Sequence, residues 1–219
     1  ADIDRLLIEK SDEPNTSRGI AEINFHRGEF EKSLERIQVS LDIFRQIEDK
    51  LGEANNVKIL GDIQIQLGHI ALAKEFFESA RKIYADLGEK LGEANSLKSL
   101  GDIKLILFEV DEAESYYERS LIIYRSIQNR LGEANILKAL GSIKLQQMNV
   151  LDAKQYFESA LQIYNDIDEK LGKANTLRFI GDLNVTLSQY DIARDHYVAA
   201  LNLYRSIEDK VGEAECEEA

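Results

Sequence analysis

One phrase recurs in this chain at intervals of forty residues. It reads EKLGEAN at residues 89–95, and its variants are DKLGEAN at 49–55, NRLGEAN at 129–135, EKLGKAN at 169–175 and DKVGEAE at 209–215. A fixed period of this size is typical of arrays in which each repeat is one structural unit stacked on its neighbours. The period therefore constrains the fold before any single residue is interpreted.

The chain divides without insertions into five rows of forty residues: 11–50, 51–90, 91–130, 131–170 and 171–210. Residues 1–10 align with residues 41–50, so we predict that they end a helix of a preceding repeat, and that residues 211–219 begin a sixth repeat. Repeat arrays normally close with a polar-faced cap. Because neither end shows one, we expect the chain to be cut from a longer protein.

Each row carries two helical patterns. In the row 51–90, the second half places one apolar stripe at helical spacings of three and four, at Ala73, Phe77, Ala80, Tyr84 and Leu87. The first half repeats this spacing, at Ala54, Val57, Leu60, Gly61 and Gln64. Small residues at Gly61 and Ala73 would let the two helices approach closely. The sequence thus predicts an antiparallel helical hairpin with its turn near residues 68–70.

The recurring phrase is predicted to separate one repeat from the next. Its basic residue would lie in the last turn of the second helix, where free carbonyls favour a cation; these residues are Lys50, Lys90, Arg130 and Lys170. Its glycine would supply the positive φ that a helix-ending turn often needs; these residues are Gly52, Gly92, Gly132 and Gly172. One glycine per turn does not indicate a phosphate-binding loop.

The columns resemble the tetratricopeptide repeat. Leu60-Gly61, Ala73, Phe77 and Ala80 match its pattern in register, and Leu140-Gly141, Ala153, Phe157 and Ala160 match it again. The period of forty is similar to a branch that includes Pins-type adaptors and prokaryotic signalling arrays. The family's tyrosine after Leu-Gly is replaced by Gln64, Lys104, Lys144 or Asn184. The resemblance implies an all-α fold, an α-solenoid of tandem antiparallel helix hairpins wound as a right-handed superhelix, with a concave groove for partner segments.

A polar pattern recurs on the first helix of each row, at the asparagine of the phrase and three and seven residues further on. At about 100° per residue, these positions share a sector of about 60°, away from the apolar stripe. The triplets are Asn15, Arg18, Glu22; Asn55, Lys58, Asp62; Asn95, Lys98, Asp102; Asn135, Lys138, Ser142; and Asn175, Arg178, Asp182. We name these fifteen residues the polar ladder. The resemblance implies that they line the concave surface and contact a bound peptide.

Two features of this face are open to a second interpretation. An apolar column beside the ladder could form the floor of the groove or pack against the next repeat; it comprises Phe25, Ile65, Leu105, Leu145 and Val185. Lys58 and Asp62, spaced i,i+4, could contact a partner or neutralise each other on a solvated surface. The acidic step at Asp62 would repel the terminal carboxylate that the family's charged clamp grips. A partner segment of mixed charge fits better.

The composition favours a soluble, cytoplasmic protein and disfavours two classes of partner. The net charge of −13 repels a phosphate backbone, so nucleic acid is not expected. The apolar runs fall far short of the roughly 20 residues that span a bilayer, so no membrane is expected. The single Cys216 cannot form an internal disulfide.

Catalytic and metal-binding signals are weak. His26, His69 and His196 fall at three different repeat positions, and none has metal-ligand spacing to another ligand. No cofactor, metal or enzymatic activity is therefore predicted. The tyrosine column is interpreted as packing rather than as an exposed binding surface; it comprises Tyr84, Tyr124, Tyr164 and Tyr204.

Three hypotheses for function follow from the sequence. The leading one is a non-enzymatic protein–protein interaction module that binds a partner peptide or helix in its groove. The second is a sensor or regulatory arm of a larger signalling protein with a protease or ATPase effector. The third is end-to-end self-association through apolar faces.

Overall fold

Residues 2–217 form eleven α-helices, and this part of the chain contains no strand. The computed structural model describes the backbone of residues 2–217 and the side chains of residues 14–217. The helices are α1 (Asp2–His26), α2 (Phe30–Gln46), α3 (Lys50–Gln66), α4 (Ile70–Leu87), α5 (Lys90–Ile106), α6 (Val110–Ser126), α7 (Arg130–Gln146), α8 (Val150–Asp166), α9 (Lys170–Thr186), α10 (Tyr190–Ser206) and α11 (Lys210–Glu217). None of them combines the length and apolar character needed to cross a bilayer.

The helices form two compact units, residues 1–109 and residues 110–219. In the first unit consecutive helices from α1 to α5 pack on each other, and in the second unit consecutive helices from α6 to α11 do the same. Short connections make consecutive helices antiparallel. Each unit is therefore a stack of helical hairpins, and the predicted all-α solenoid is confirmed.

The turn inside the second repeat lies where the sequence predicts it. Helix α3 ends at Gln66, and α4 begins at Ile70. Gly68 between them has a φ of +77°, and the N–H of His69 donates to the carbonyl of Gln64 at 2.9 Å. Met148 holds the corresponding conformation in the α7–α8 turn without being a glycine, at a φ of +59°.

The position predicted for the recurring phrase, at the end of a second helix, is wrong. The phrase begins a helix rather than ending one, because Asp49 is the N-cap of α3 and its side chain accepts the N–H of Gly52 at 2.9 Å. The positive φ falls earlier, at Glu48. Lys50, Lys90, Arg130 and Lys170 are accordingly the first residues of α3, α5, α7 and α9. Gly52, Gly92, Gly132 and Gly172 lie in the first turns of these helices.

The glycine of the phrase permits a close approach between successive repeats. A Cβ atom on Gly172 would overlap the ring of Tyr164, and one on Gly52 would overlap the ring of Phe44. In each repeat, the aromatic ring of the second helix therefore packs against the first turn of the helix that begins the following repeat. This explains the tyrosine column as packing, since Tyr84, Tyr124, Tyr164 and Tyr204 are all buried.

The glutamate of the phrase connects the same two helices by charge. Arg45 on α2 donates to Glu53 Oε1 at 2.9 Å, and Lys50 donates to Oε2 at 2.8 Å. The hydrogen bond from Lys50 lowers the pKa of Glu53, although burial opposes this effect. In the second unit the equivalent pairs are Arg125–Glu133 at 3.0 Å and Arg205–Glu213 at 3.7 Å.

Helix α1 is longer than the others, with 25 residues against 17 in α3. Its backbone is continuous from Asp2 to His26. The sequence predicts that residues 1–10 end a helix of a preceding repeat, but no helix end or turn interrupts α1 between Asp2 and His26. At the other end, α11 begins at Lys210 with the phrase of a sixth row.

Candidate functional site

The polar ladder lies on the first helix of each repeat. Its members belong to α1, α3 and α5 in the first unit and to α7 and α9 in the second. Asn15 and Glu22 are exposed, and the other thirteen residues are half-buried. Each first helix thus presents one polar stripe that is partly open to solvent.

The charged steps of the ladder form ion pairs within their own helices. Lys58 Nζ lies 2.7 Å from Asp62 Oδ2, and Lys98 Nζ lies 2.6 Å from Asp102 Oδ2. The side chains of Lys58 and Asp62 are each 31% exposed. Open pairs of this i,i+4 type contribute only about 0.3–0.5 kcal/mol to stability. A partner can therefore exchange them for contacts of its own at small cost.

Three of the ladder asparagines accept hydrogen bonds from buried tyrosines. The hydroxyl of Tyr84 donates to Asn55 Oδ1 at 2.7 Å. Burial raises the pKa of Tyr84 to about 12, so the hydroxyl remains a donor at neutral pH. Equivalent bonds join Tyr164 to Asn135 at 2.7 Å and Tyr204 to Asn175 at 2.8 Å. The bond fixes the orientation of each of these amides.

This tyrosine contact was not predicted from the sequence. The two residues are 29 positions apart on different helices. The available signal was the recurrence of both columns in the same rows, Asn55 with Tyr84 and Asn135 with Tyr164. A repeated pair at constant separation indicates a repeated contact once the hairpin is assumed.

In the first unit, ladder carboxylates and apolar residues share a cleft. A cleft of about 260 Å³ is lined by Asp62 and Asp102 together with Phe25, Ile65 and Ile106. A second one, of about 200 Å³, is lined by Phe25, Asp62, Glu22, His26 and Ile59. Across these two clefts, helices α1, α3 and α5 therefore bring together three ladder carboxylates and two residues of the apolar column.

The other apolar-column residues have different surroundings. Leu105 is half-buried. Leu145 is partly buried against the core cluster around Phe157, which is the packing role that the sequence left open. Val185 is 39% exposed and lines a cleft of about 340 Å³ with Tyr197 and Cys216.

In the second unit the ladder has a different charge arrangement. Arg178 Nη1 lies 3.7 Å from Asp182, and its Nε lies 3.3 Å from Glu215 on α11. Its guanidinium also lies 4.7 Å from the centre of the Phe179 ring. One step earlier, Ser142 occupies the position that a carboxylate holds in the other rows, beside half-buried Lys138. This unit therefore presents fewer acidic ladder groups than the first.

Metal-binding geometry is not found in the described part of the chain. Among these residues, no group of three His, Cys, Asp or Glu side chains could hold a metal ion. His69 Nδ1 lies 2.7 Å from Gln64 Oε1, which gives this ring a local partner.

Three solved structures show the same fold at low sequence identity. BtubC (BKLC) from P. vanneervenii superposes with a TM-score of 0.75 at 18% identity, over 95% of this chain and 93% of that one. A STAND signal transduction ATPase with a tetratricopeptide repeat sensor, from Pyrococcus horikoshii, superposes with a TM-score of 0.81 at 20% identity, over 97% of this chain and 32% of that one. The Rap conjugation gene regulator of plasmid pLS20, in complex with the Phr* peptide, superposes with a TM-score of 0.78 at 16% identity, over 92% of this chain and 56% of that one. This chain thus spans about a third and about half of the last two proteins.

Comparison of sequences identifies the family. No curated protein matches this chain. The tetratricopeptide repeat profile matches residues 12–86 and 132–206, which together are more than half of the 219 residues. The chain therefore belongs to the tetratricopeptide repeat family.

Proposed function

We propose that this chain is a protein-interaction module whose polar ladder contacts a peptide or helical segment of another protein. The observation that carries the proposal is the cleft in the first unit, where Asp62 and Asp102 lie beside Phe25 and Ile65. A concave site that combines apolar walls with a few polar groups is the usual form of a binding site. Family membership supports this role, and one similar structure is a complex with a peptide.

The ladder chemistry suits an extended or helical segment of mixed charge. The amide of Asn55 would donate to a backbone carbonyl of the partner. The cation of Lys58 would face an acidic side chain, and the carboxylate of Asp62 would face a basic one. An apolar side chain of the partner would enter the cleft over Ile65. The proposed module is non-enzymatic and acts through these contacts.

A charge-swapped ladder tests this proposal. The variant Lys58→Asp/Asp62→Lys/Lys98→Asp/Asp102→Lys keeps the net charge and retains an oppositely charged residue at each i,i+4 position, while it reverses the pattern offered to a partner. The matched control is Lys74→Glu/Glu78→Lys on α4, whose ion pair spans 3.8 Å and is exposed. Proteins captured by each variant are quantified by mass spectrometry, and circular dichroism verifies helix content.

We expect the ladder variant to lose a set of partners that both the wild type and the α4 control retain. The captured partners should then bind the purified wild type at least about tenfold more tightly than the ladder variant. Equal capture by all three proteins would place the binding surface elsewhere.

A second proposal is a sensor or regulatory arm within a larger signalling protein. It is supported by the superposition of this chain on a STAND ATPase with a tetratricopeptide repeat sensor, of which it matches 32%. The complete reading frame of the parent gene tests it. An ATPase or protease region in that frame supports the proposal, and a short protein of repeats alone removes it.

A third proposal is self-association through exposed apolar residues. Ile20 and Ile23 on α1 are 39% and 53% exposed, whereas the equivalent Leu60 and Ile63 on α3 are buried. On α10, Tyr190 and Val198 are also exposed. Light scattering over a concentration series should show growing particles, and a monomer at the highest concentration would contradict the proposal.

A further inference from the structure

A pocket of about 410 Å³ lies between α8, α9 and α10 in the second unit. Its apolar lining includes Leu161, Ile180, Leu183 and Ile192, and its polar lining includes Asn184 and His196. Ile180 and Asn184 each lie two residues from the ladder residue Asp182, which is about 160° around the helix. The pocket is thus on the opposite side of α9 from the polar ladder.

The preceding repeat has an ion pair and a tyrosine at the same positions. Forty residues earlier, Glu114, Lys144 and Tyr156 stand in place of Lys154, Asn184 and His196. Lys144 Nζ lies 2.5 Å from Glu114 Oε1, and these side chains are only 16% and 20% exposed. The ring of Tyr156 is half-buried.

At the pocket between α8, α9 and α10, both the ion pair and the tyrosine are missing. Lys154 and Asn184 cannot form an ion pair with each other, so Lys154 extends toward Glu158 at 3.8 Å with 60% of its side chain exposed. Asn184 turns back on its own helix and donates from Nδ2 to the carbonyl of Ile180 at 2.7 Å. An imidazole at residue 196 is smaller than a phenol. The pocket therefore lacks the ion pair of the preceding repeat and has the smaller imidazole ring where that repeat has a phenol.

We propose that this pocket binds a phenol ring, supplied by a tyrosine side chain of a partner protein. Three other repeats place an aromatic residue at the position of His196, namely Phe76, Tyr116 and Tyr156. The incoming ring would pack on Leu161, Leu183 and Ile192, and its hydroxyl would meet the polar side of the pocket at Asn184 and His196. The binding site is independent of the ladder, so it stands or fails separately from the proposed function.

The test uses two probes, 4-methylphenol and N-acetyltyrosinamide, titrated into the ¹⁵N-labelled chain and followed by NMR. Both should give saturable shifts centred on Leu183 and Ile192. The variant His196→Tyr restores the ring of the other repeats and should weaken binding by at least about tenfold. The matched control His69→Tyr makes the same change at an exposed position in the α3–α4 turn, outside the pocket and the ladder clefts, and should bind as the wild type does.

A second variant closes the pocket without adding a ring. Lys154→Glu/Asn184→Lys rebuilds the ion pair of the preceding repeat and should weaken both probes to a similar extent. Absence of saturable binding to the wild type would overturn the proposal, and so would unchanged binding by both closed variants. Binding of 4-methylphenol without N-acetyltyrosinamide would overturn the assignment of tyrosine as the source of the ring.

Discussion

The two helices of each repeat are similar in length but differ in burial. Nine of the 17 residues of α3 are buried, against four of the 18 in α4. The second unit shows the same difference, with seven buried residues in α9 and three in α10. The first helix packs against other helices over much of its surface. The polar ladder is its most regular polar stripe that is partly open to solvent. The second helix packs through one narrow stripe of buried residues, and most of its remaining surface is exposed to solvent.

The largest expected effect comes from removing a ring from the narrow stripe. Phe157 on α8 is fully buried, so Phe157→Ala should lower the free energy of unfolding by about 3–5 kcal/mol. The neighbouring Glu158→Ala, on the exposed side of α8, should change it by less than about 0.5 kcal/mol. Urea unfolding measures both. Similar losses for the two variants would contradict the single-stripe description.

The next effect tests how tightly the first helix is enclosed. A Cβ atom on Gly141 would lie 2.6 Å from the ring of Phe157, so Gly141→Ala should cost about 1–3 kcal/mol. Gly19 in α1 has nothing within 4 Å of such an atom. Gly19→Ala should therefore stabilise the chain by up to about 1 kcal/mol through helix propensity. The comparison fails if both substitutions shift the urea midpoint in the same direction.

A smaller effect tests the charge link between one second helix and the following first helix. The folded pKa of Glu53 is lowered below the ordinary value of 4.5, so its contribution to stability is present above that pH and is lost as the pH falls through the folded pKa. Glu53→Gln should cost at most about 1 kcal/mol at pH 7, because the Glu53 side chain is only 11% exposed while solvent screens its more exposed partners Arg45 and Lys50. The difference from the wild type should narrow at pH 3. A constant difference across this range would show that the carboxylate charge is not responsible.

The smallest effect concerns the turn between the two helices. Met148 is 68% exposed and has a φ of +59°, a conformation that favours glycine. Met148→Gly should raise the free energy of unfolding by up to about 1 kcal/mol. The reverse change at the equivalent position, Gly68→Ala, should lower it by about the same amount. Thermal unfolding detects both changes, and a destabilised Met148→Gly would contradict the assignment of backbone strain.

The sequence predicted the hairpins, their turns and the buried stripes because those features depend on local periodicity. It misplaced the phrase by a few residues, since glycine is favoured both after a helix and where another residue packs closely. The capping side chain of Asp49 distinguishes these cases and was available in the sequence. The contact of Tyr84 with Asn55 and the pocket at His196 depend on residues from different helices. The recurring separation of the tyrosine and asparagine columns was a sequence signal for the first of these, whereas only the three-dimensional arrangement identifies the pocket.

The central claim is that partners contact the ladder side of the first helices and not the outer side of the second helices. Site-specific photo-crosslinking tests this most directly, with the photoreactive residue introduced at Ser99, which lines the ladder cleft on α5, or at Ser79, which is exposed on α4. We predict that partner proteins crosslink from Ser99 and not from Ser79. Crosslinking of the same partners from Ser79 alone, or equally from both positions, would contradict the claim.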